Sequence, residues 1–412
     1  MLFKYGKTWY NQNMQNSIFL GNDLYYVGGN DRRIALFENS FPVPRGVSYN
    51  SYLLKDEKTA LFDTVDHAIS ELFFENVEAV LGGRKLDYLI VQHMEPDHSA
   101  SFAGVIGRYP GVKVVCNKKT AAMLKNFGAG SGYEVLEVEE GAELSTGKHK
   151  LKFVFAPMVH WPEVMFTFDG TTGTLFSADA FGTFGALPGH IYADELHFER
   201  DFLNDARRYY FNIVGKYGIQ VTNVIKKAAG LDIKLVCPLH GPIWRKDFAK
   251  YLNYYRTWSA YEPEEKGVAV FYGSVYGHTQ NAAEILAAKL AEAGIENIAV
   301  YDVAATHGSK LLSEAFRYSH AVFACATLNN GIFGAMEHFL SDLTAHFYQN
   351  RTAAFIENGS WAPQAGKLMQ EKLSACKNMR TLGETVKILS APTEETAAQL
   401  DSLAKTIAAD LK

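Results

Sequence analysis

The chain has 412 residues, with 40 Lys and Arg against 45 Asp and Glu, so its formal net charge is −5. That slightly acidic balance excludes a nucleic-acid-coating protein, which carries a clear basic excess. Hydrophobic residues at 48% and charged residues at 21% suit two or three well-cored domains and exclude disorder as the main state.

No apolar run, the one at 321–328 included, approaches the roughly 20 residues of a membrane helix. The N-terminus turns polar by Lys4 and lacks the apolar core and cleavage site of a secretory signal. Cys116, Cys237, Cys325 and Cys376 form no C-x-x-C pair, which excludes zinc-ribbon, rubredoxin-type and thioredoxin motifs. Three of the four lie in apolar runs, where buried reduced thiols are expected, and a cytoplasmic location follows as the expectation. Composition leaves the histidines unexplained: there are 13, eight of them before residue 261.

In chain order, the first half offers apolar strands at 24–27, 60–62, 88–92, 112–115, 151–155, 174–176 and 235–236. Some are joined by hairpin-like turns, such as Asp169-Gly170-Thr171-Thr172-Gly173, and others by helices. The mixture predicts a two-sheet core flanked by helices. The charged, proline-containing run at 261–267 reads as a linker and places domains at 1–262 and 263–412. Beyond it, strands are predicted at 268–272, 298–301, 321–326 and 353–356, with helices at 281–293 and 396–411. Continuous apolar strands separated by helices imply one doubly wound parallel sheet with both faces covered.

Directly after the strand at 88–92 comes His93-Met94-Glu95-Pro96-Asp97-His98, four metal donors in six positions. Pro96 argues against a regular helix there. On a loop, the side chains at i, i+2 and i+4 converge on one side, and the i+5 histidine is free to serve a second ion. Three more donors follow predicted strands: His160 after 151–155, Asp179 after 174–176, and His240 after 235–236. Donors held at strand ends on a rigid scaffold are where sites form. By contrast, His67 and His149 read as surface histidines.

In the second half, Gly273-Ser274-Val275-Tyr276-Gly277-His278-Thr279 leads from a strand into a helix and offers backbone N–H groups and hydroxyls to a phosphate. Neither a Walker motif nor G-x-G-x-x-G is present. Two further loops follow strand ends: Thr327-Leu328-Asn329-Asn330-Gly331-Ile332-Phe333 and Glu357-Asn358-Gly359-Ser360-Trp361. In a flavodoxin-like order these loops meet at the switch-point crevice, where FMN binds, with Asn and Gly groups bonding the ring and Trp361 stacking beside it.

The first constellation resembles the metallo-β-lactamase superfamily, with Glu95 where the usual His-x-His-x-Asp-His loop has its second histidine. The set of four imidazoles and three carboxylates is richer in oxygen than zinc hydrolases favour and suits iron, with Asp179 able to bridge two ions. Together the halves resemble the flavodiiron proteins. The resemblance implies an α/β chain: an N-terminal metallo-β-lactamase-like αββα sandwich, then a C-terminal flavodoxin-like doubly wound sheet. It implies His93, Glu95 and His160 on one iron, Asp97, His98 and His240 on the other, and Asp179 bridging.

It further implies an oxygen and/or nitric oxide reductase. Four electrons reduce dioxygen to two waters, and a diferrous pair with FMN hydroquinone holds four. The missing C-x-x-C makes the electron donor external: rubredoxin, or else reduced deazaflavin coenzyme. A head-to-tail homodimer, or a dimer of such dimers, is expected to set each FMN against the other protomer's irons. The alternatives are a zinc hydrolase with a flavodoxin-like passenger, and an electron-carrier module.

Overall fold

The computed structural model describes residues 16–129 and 132–412. The chain divides into two compact units: one runs up to Ala206 and includes Asn223–Ala249, and the other comprises Arg207–Thr222 and Lys250–Lys412.

The first unit holds two sheets. One has seven strands in the order Ile18–Gly21, Leu24–Tyr26, Tyr52–Lys55, Thr59–Phe62, Tyr88–Ile90, Lys113–Cys116, Glu134–Glu137. Its last four strands run parallel. The other sheet has five strands, Glu143–Ser145, Lys150–Phe155, Met165–Asp169, Thr174–Phe176 and Leu235–Cys237. The sheets meet through Phe62 and Phe176, whose rings stack at 3.8 Å, with Tyr52 edge-on to Phe176 at 5.5 Å. Thr59–Phe62, Tyr88–Ile90 and Thr174–Phe176 are buried at every residue, as continuous apolar runs require. On the helical side, Ser70–Leu81 buries Phe73, Phe74 and Val77 and stops at Gly82, which takes the left-handed conformation (φ 57°).

Two local expectations are overturned here. Pro96 does not prevent a helix but starts one, Pro96–Ser99, at the first position, where a missing N–H costs nothing. His149 is not a surface residue: it is 3% exposed, and its Nδ1 bonds Asp169 Oδ2 at 2.7 Å. His67 is exposed.

The second unit is a parallel sheet in the order Ile298–Asp302, Glu265–Gly273, Tyr318–Leu328, Thr352–Asn358, with Val386–Ile388 at its far side. Counted along the unit this is 2-1-3-4-5, the flavodoxin order. One face buries Val270, Val322, Ala354 and Ile356 against helices His278–Glu292 and Glu394–Leu411. On the other, Phe271, Phe323 and Phe355 form a cross-strand row, and Phe339 of helix Gly334–Ala345 lies 4.9 Å from Phe271.

The run at 261–267 is not a solvated linker. Strand Glu265–Gly273 begins inside it, and Glu264 is nearly buried. Its carboxylate accepts from Arg207 at 2.5 and 2.6 Å and from Trp258 Nε1 at 2.9 Å. The guanidinium of Arg351, also buried, donates to the carbonyl of Tyr261 at 2.6 Å. Charge composition alone could not distinguish solvated charges from these paired ones.

Candidate metal centre and nucleotide cleft

Four strands of the first unit, Tyr88–Ile90, Lys150–Phe155, Thr174–Phe176 and Leu235–Cys237, deliver donors to one end of the sandwich. After Tyr88–Ile90, the chain is held by Asp63, whose Oδ1 accepts from the backbone N–H of Gln92 (2.7 Å) and His93 (3.2 Å). His93 and Glu95 precede the short helix, while Asp97 and His98 stand on its first turn. That change of backbone splits the motif. His93 and Glu95 face one way and Asp97 and His98 the other, so the simple convergence of i, i+2 and i+4 does not occur. His240 follows Leu235–Cys237 on a loop tied down by Asn50 and Tyr52, which donate to the carbonyl of Pro238 at 2.9 and 2.7 Å.

Two donor groups result. His93, Glu95, His160 and Asp179 place one ligand atom each within 4.8 Å of one another, as do Asp97, His98 and His240. All seven residues are buried. Asp179 faces both groups. Its Oδ2 lies 3.3 Å from His93 Nε2 and 3.1 Å from His160 Nε2, while its Oδ1 lies 3.1 Å from His98 Nε2 and 3.7 Å from His240 Nε2.

The electrostatics are those of a cation site. Burial alone would push the imidazoles down, but the carboxylates hold His93 well above its ordinary value, His98 up to about 10 and His160 up to about 9. Burial would raise Asp179, yet the surrounding histidines hold it well below its usual range. Protons stand where cations could, and a bound metal would displace them.

The decisive test is what the donors do not satisfy among themselves. Both oxygens of Asp97 and Oδ1 of Asp179 are buried without a hydrogen-bond partner. Yet Asp97 Oδ2 lies 3.1 Å from His240 Nε2 and 3.2 Å from His98 Nε2. Atoms this close, without hydrogen-bond alignment, converge on shared points rather than on each other. Seven oxygen and nitrogen donors in that arrangement fit a pair of iron ions.

Outside the donors, His240 Nδ1 donates to the carbonyl of Ser48 (2.7 Å) and His93 Nδ1 to Glu163 Oε1 (2.8 Å), leaving each Nε2 lone pair for the centre. Glu38 stands beside Glu95 at the solvent edge of the site, where partial desolvation and the Glu95 charge raise its carboxyl. Phe37 and Tyr49 meet the His240 ring edge-on at 5.5 and 5.8 Å, and Trp161 meets His93 at 5.3 Å. Sequence reasoning missed Asp63, Glu163, Ser48 and Glu38: single carboxylates and a backbone carbonyl carry no spacing signature.

A third donor group, Asp23, Asp56 and His149, lies elsewhere in this unit. Its members are already engaged: Lys148 pairs with Asp23 (3.1 Å), His149 with Asp169, and Asp56 accepts from Thr146 Oγ1 (2.9 Å) and the His149 N–H (3.1 Å).

In the second unit, a cleft of about 430 Å³ opens at the carboxyl ends of the strands. It is lined by Ser274, Val275, Tyr276, His278 and Thr279, by Thr327, Leu328, Asn329 and Asn330, and by Asn358, Gly359, Ser360 and Trp361. Gly277, Gly331, Ile332 and Phe333 do not line it, and each has a structural task instead. Gly277 takes φ 91° ahead of helix His278–Glu292, whose first N–H groups no side chain caps. Gly331 and Ile332 pair back on Leu328 and Thr327 across a two-residue turn in which Asn329 and Asn330 both have positive φ. Phe333 packs on Gly273, where a Cβ would lie 2.7 Å from its ring.

Ala326 and Ser390 also line the cleft and were missed; Ser390 is held by Asn358 through its backbone N–H (3.1 Å) and carbonyl (2.9 Å). The uncapped helix start suits a phosphate, and the exposed rings of Tyr276 (91%) and Trp361 (79%) suit the faces of a flavin. These residues fit FMN.

Fold and site together define a metallo-β-lactamase-like domain carrying a two-pocket metal site, joined to a flavodoxin-like domain carrying a nucleotide cleft. Residues 47–241 match the ODP family beta lactamase model, and residues 270–401 match Flavodoxin. A nitric oxide reductase of Moorella thermoacetica is 29% identical over 372 residues, 88% of this chain and 91% of that one. An uncharacterized protein of Methanocaldococcus jannaschii is 31% identical over 324 residues, covering 78% of this chain and 80% of its own. The solved structure of rubredoxin oxygen:oxidoreductase from the anaerobe Desulfovibrio gigas matches with a TM-score of 0.89 at 28% identity, over 96% of this chain and 98% of that one. The chain belongs to the flavodiiron protein family, and it is an oxidoreductase whose cofactors are FMN and a non-haem diiron centre.

Proposed function

We propose that this chain reduces dioxygen to water and/or nitric oxide to nitrous oxide, with electrons relayed through FMN from an external donor. The observation that carries the reading is Asp179, whose two oxygens face separate buried donor groups. His93, Glu95 and His160 would hold one ion, Asp97, His98 and His240 the other, with Asp179 able to serve both. Iron bound there would supply one-electron redox chemistry toward a diatomic gas, and FMN a two-electron store.

The protein's part is positioning and exclusion. Asp179 fixes the spacing of the two ions. Phe37, Tyr49 and Trp161 wall the imidazoles and keep bulk water from the centre. Glu38, at the solvent edge beside Glu95, is placed to pass in the protons that reduction of dioxygen consumes. On the flavin side, the start of helix His278–Glu292 takes the phosphate, and the loops at 327–330 and 358–361 take the ring.

A rubredoxin is the donor we favour, supported by the name of the Desulfovibrio gigas relative; reduced deazaflavin coenzyme is the other. The working assembly is a head-to-tail homodimer, or a dimer of such dimers, with each FMN serving its partner's irons. The exposed Tyr276 and Trp361 at the cleft rim suit a surface that a second copy covers. We keep 262/263 as the boundary between the two sequence domains, although residues 207–222 and 250–262 pack with the second; the four cysteines, free and buried, suit a reducing cytoplasm. Among the described residues no helix is long and apolar enough to cross a membrane.

The test is iron, zinc and flavin analysis of the purified protein, followed by anaerobic turnover with each gas in parallel. Two irons and one FMN per chain with turnover of either gas are expected; zinc without iron refutes the reading.

A further inference from the structure

The two pockets carry the same formal charge from their own donors. Each has one carboxylate, Glu95 or Asp97, plus a share of Asp179, and two imidazoles. What differs lies behind the histidines. His240 Nδ1 donates to a neutral carbonyl, that of Ser48, and His98 Nδ1 is buried without a partner. His93 Nδ1 instead donates to Glu163 Oε1 at 2.8 Å, and both side chains are 0% exposed. The same oxygen accepts from the backbone N–H of Met94 at 2.9 Å, while Oε2 has no hydrogen-bond partner.

A buried carboxylate with an orphaned oxygen is expensive unless positive charge lies nearby. The loop carrying it is held in place, since Asn117 Nδ2 donates to the Glu163 carbonyl at 2.6 Å. A fixed anion behind one imidazole raises the donor strength of that ligand and favours the higher charge on its metal.

We propose that Glu163 is a positioning residue that makes the two metal pockets unequal, so that the ion held by His93, Glu95 and His160 stays ferric when the centre is half reduced. The proposal rests on the diiron reading above. One electron, which bound flavin would supply to a diferric pair, would settle in the Asp97–His98–His240 pocket and leave the ion beside His93 ferric. No bond is made or broken in the protein.

The experiment compares Glu163→Gln and Glu163→Asp with the wild-type holoenzyme in a reductive titration, following the half-integer-spin signal of the half-reduced pair and the iron content. Gln keeps an acceptor for His93 and Met94 but removes the charge; Asp keeps the charge but shortens the reach. The expected result is that Glu163→Gln lowers the maximum of the half-reduced signal through a roughly fivefold fall in the comproportionation constant. That is the scale of one charge acting unequally on two neighbouring sites at an effective dielectric of about 20.

Glu163→Asp should stay nearer the wild type. Loss of iron from the Gln variant while the Asp variant retains it also supports the charge. A Gln variant with two irons and the wild-type titration overturns the proposal, because the hydrogen bonds then suffice without the charge. Loss of iron from both variants overturns it too. If the wild-type protein itself holds no iron, it is the diiron reading that fails.

Discussion

Replacing Asp179 by Asn is the sharpest perturbation, because it keeps the shape of the side chain and removes only a charge and one acceptor. In the native chain four imidazole nitrogens lie 3.1, 3.1, 3.3 and 3.7 Å from its two oxygens. The Asn amide nitrogen would have to face one histidine pair, offering it no lone pair. Loss of an outer partner of a metal ligand costs about 10- to 100-fold in affinity. Asp179 touches both donor groups directly, so about 100-fold, or about 2.7 kcal/mol, is a lower bound for each ion. The assay is iron per chain after passage over a chelating resin, with FMN counted in the same sample. Asp179→Asn should fall from two irons toward none with FMN retained, whereas Asp97→Asn should fall only toward one. Wild-type iron content and wild-type release rate in Asp179→Asn would refute the bridge.

Three further outcomes test other parts of the molecule. Trp361→Ala and Tyr276→Ala should each weaken FMN by about two- to tenfold, the worth of one aromatic contact, in fluorescence titration of the flavin-free protein, while iron is unchanged; two variants with wild-type FMN affinity would remove the rings from the site. Glu264→Gln removes the charge that pairs with the buried Arg207 and should cost about 3–5 kcal/mol. For a unit of this size that lowers Tm by about 6–20 °C, whereas exposed Glu296→Gln should stay within about 0.5 kcal/mol. Equal melting of the two variants would mean that the run at 261–267 is the open linker its composition suggests. His149 is raised in the folded state, chiefly by its bond to Asp169. Its stabilisation is therefore fully present below its unfolded value near 6.5 and is lost as pH rises through the folded one. His149→Gln should cost about 1.5–3 kcal/mol at pH 6 and progressively less at higher pH; a pH-independent difference in urea unfolding would contradict the charged pair.

What could be read in the sequence follows from what physical constraint each residue obeys. Strands such as Thr59–Phe62 and Thr174–Phe176 were legible because both of their faces are buried and every residue is therefore apolar or small. Strands Glu134–Glu137 and Glu143–Ser145 were not, because they are largely exposed and their backbone pairing leaves no pattern in the side chains. The flavodoxin-like half was the clearer one, since its five parallel strands alternate with helices and all its cleft loops fall at strand ends.

In the metal site, donor density exposed His93, Glu95, Asp97 and His98, and strand-end position exposed His160, Asp179 and His240. How the motif divides was hidden, because the division depends on Pro96 starting a helix between Glu95 and Asp97. The outer partners were hidden for a different reason. Glu163 comes 70 residues after the histidine it supports, and Ser48 comes 192 before its own. A ligand announces itself by its chemistry, but the group that orients it can be any carbonyl or carboxylate the fold brings within 3 Å. The two pockets therefore look equivalent as sets of donors, and the difference between a carboxylate behind one histidine and a carbonyl behind another exists only after folding.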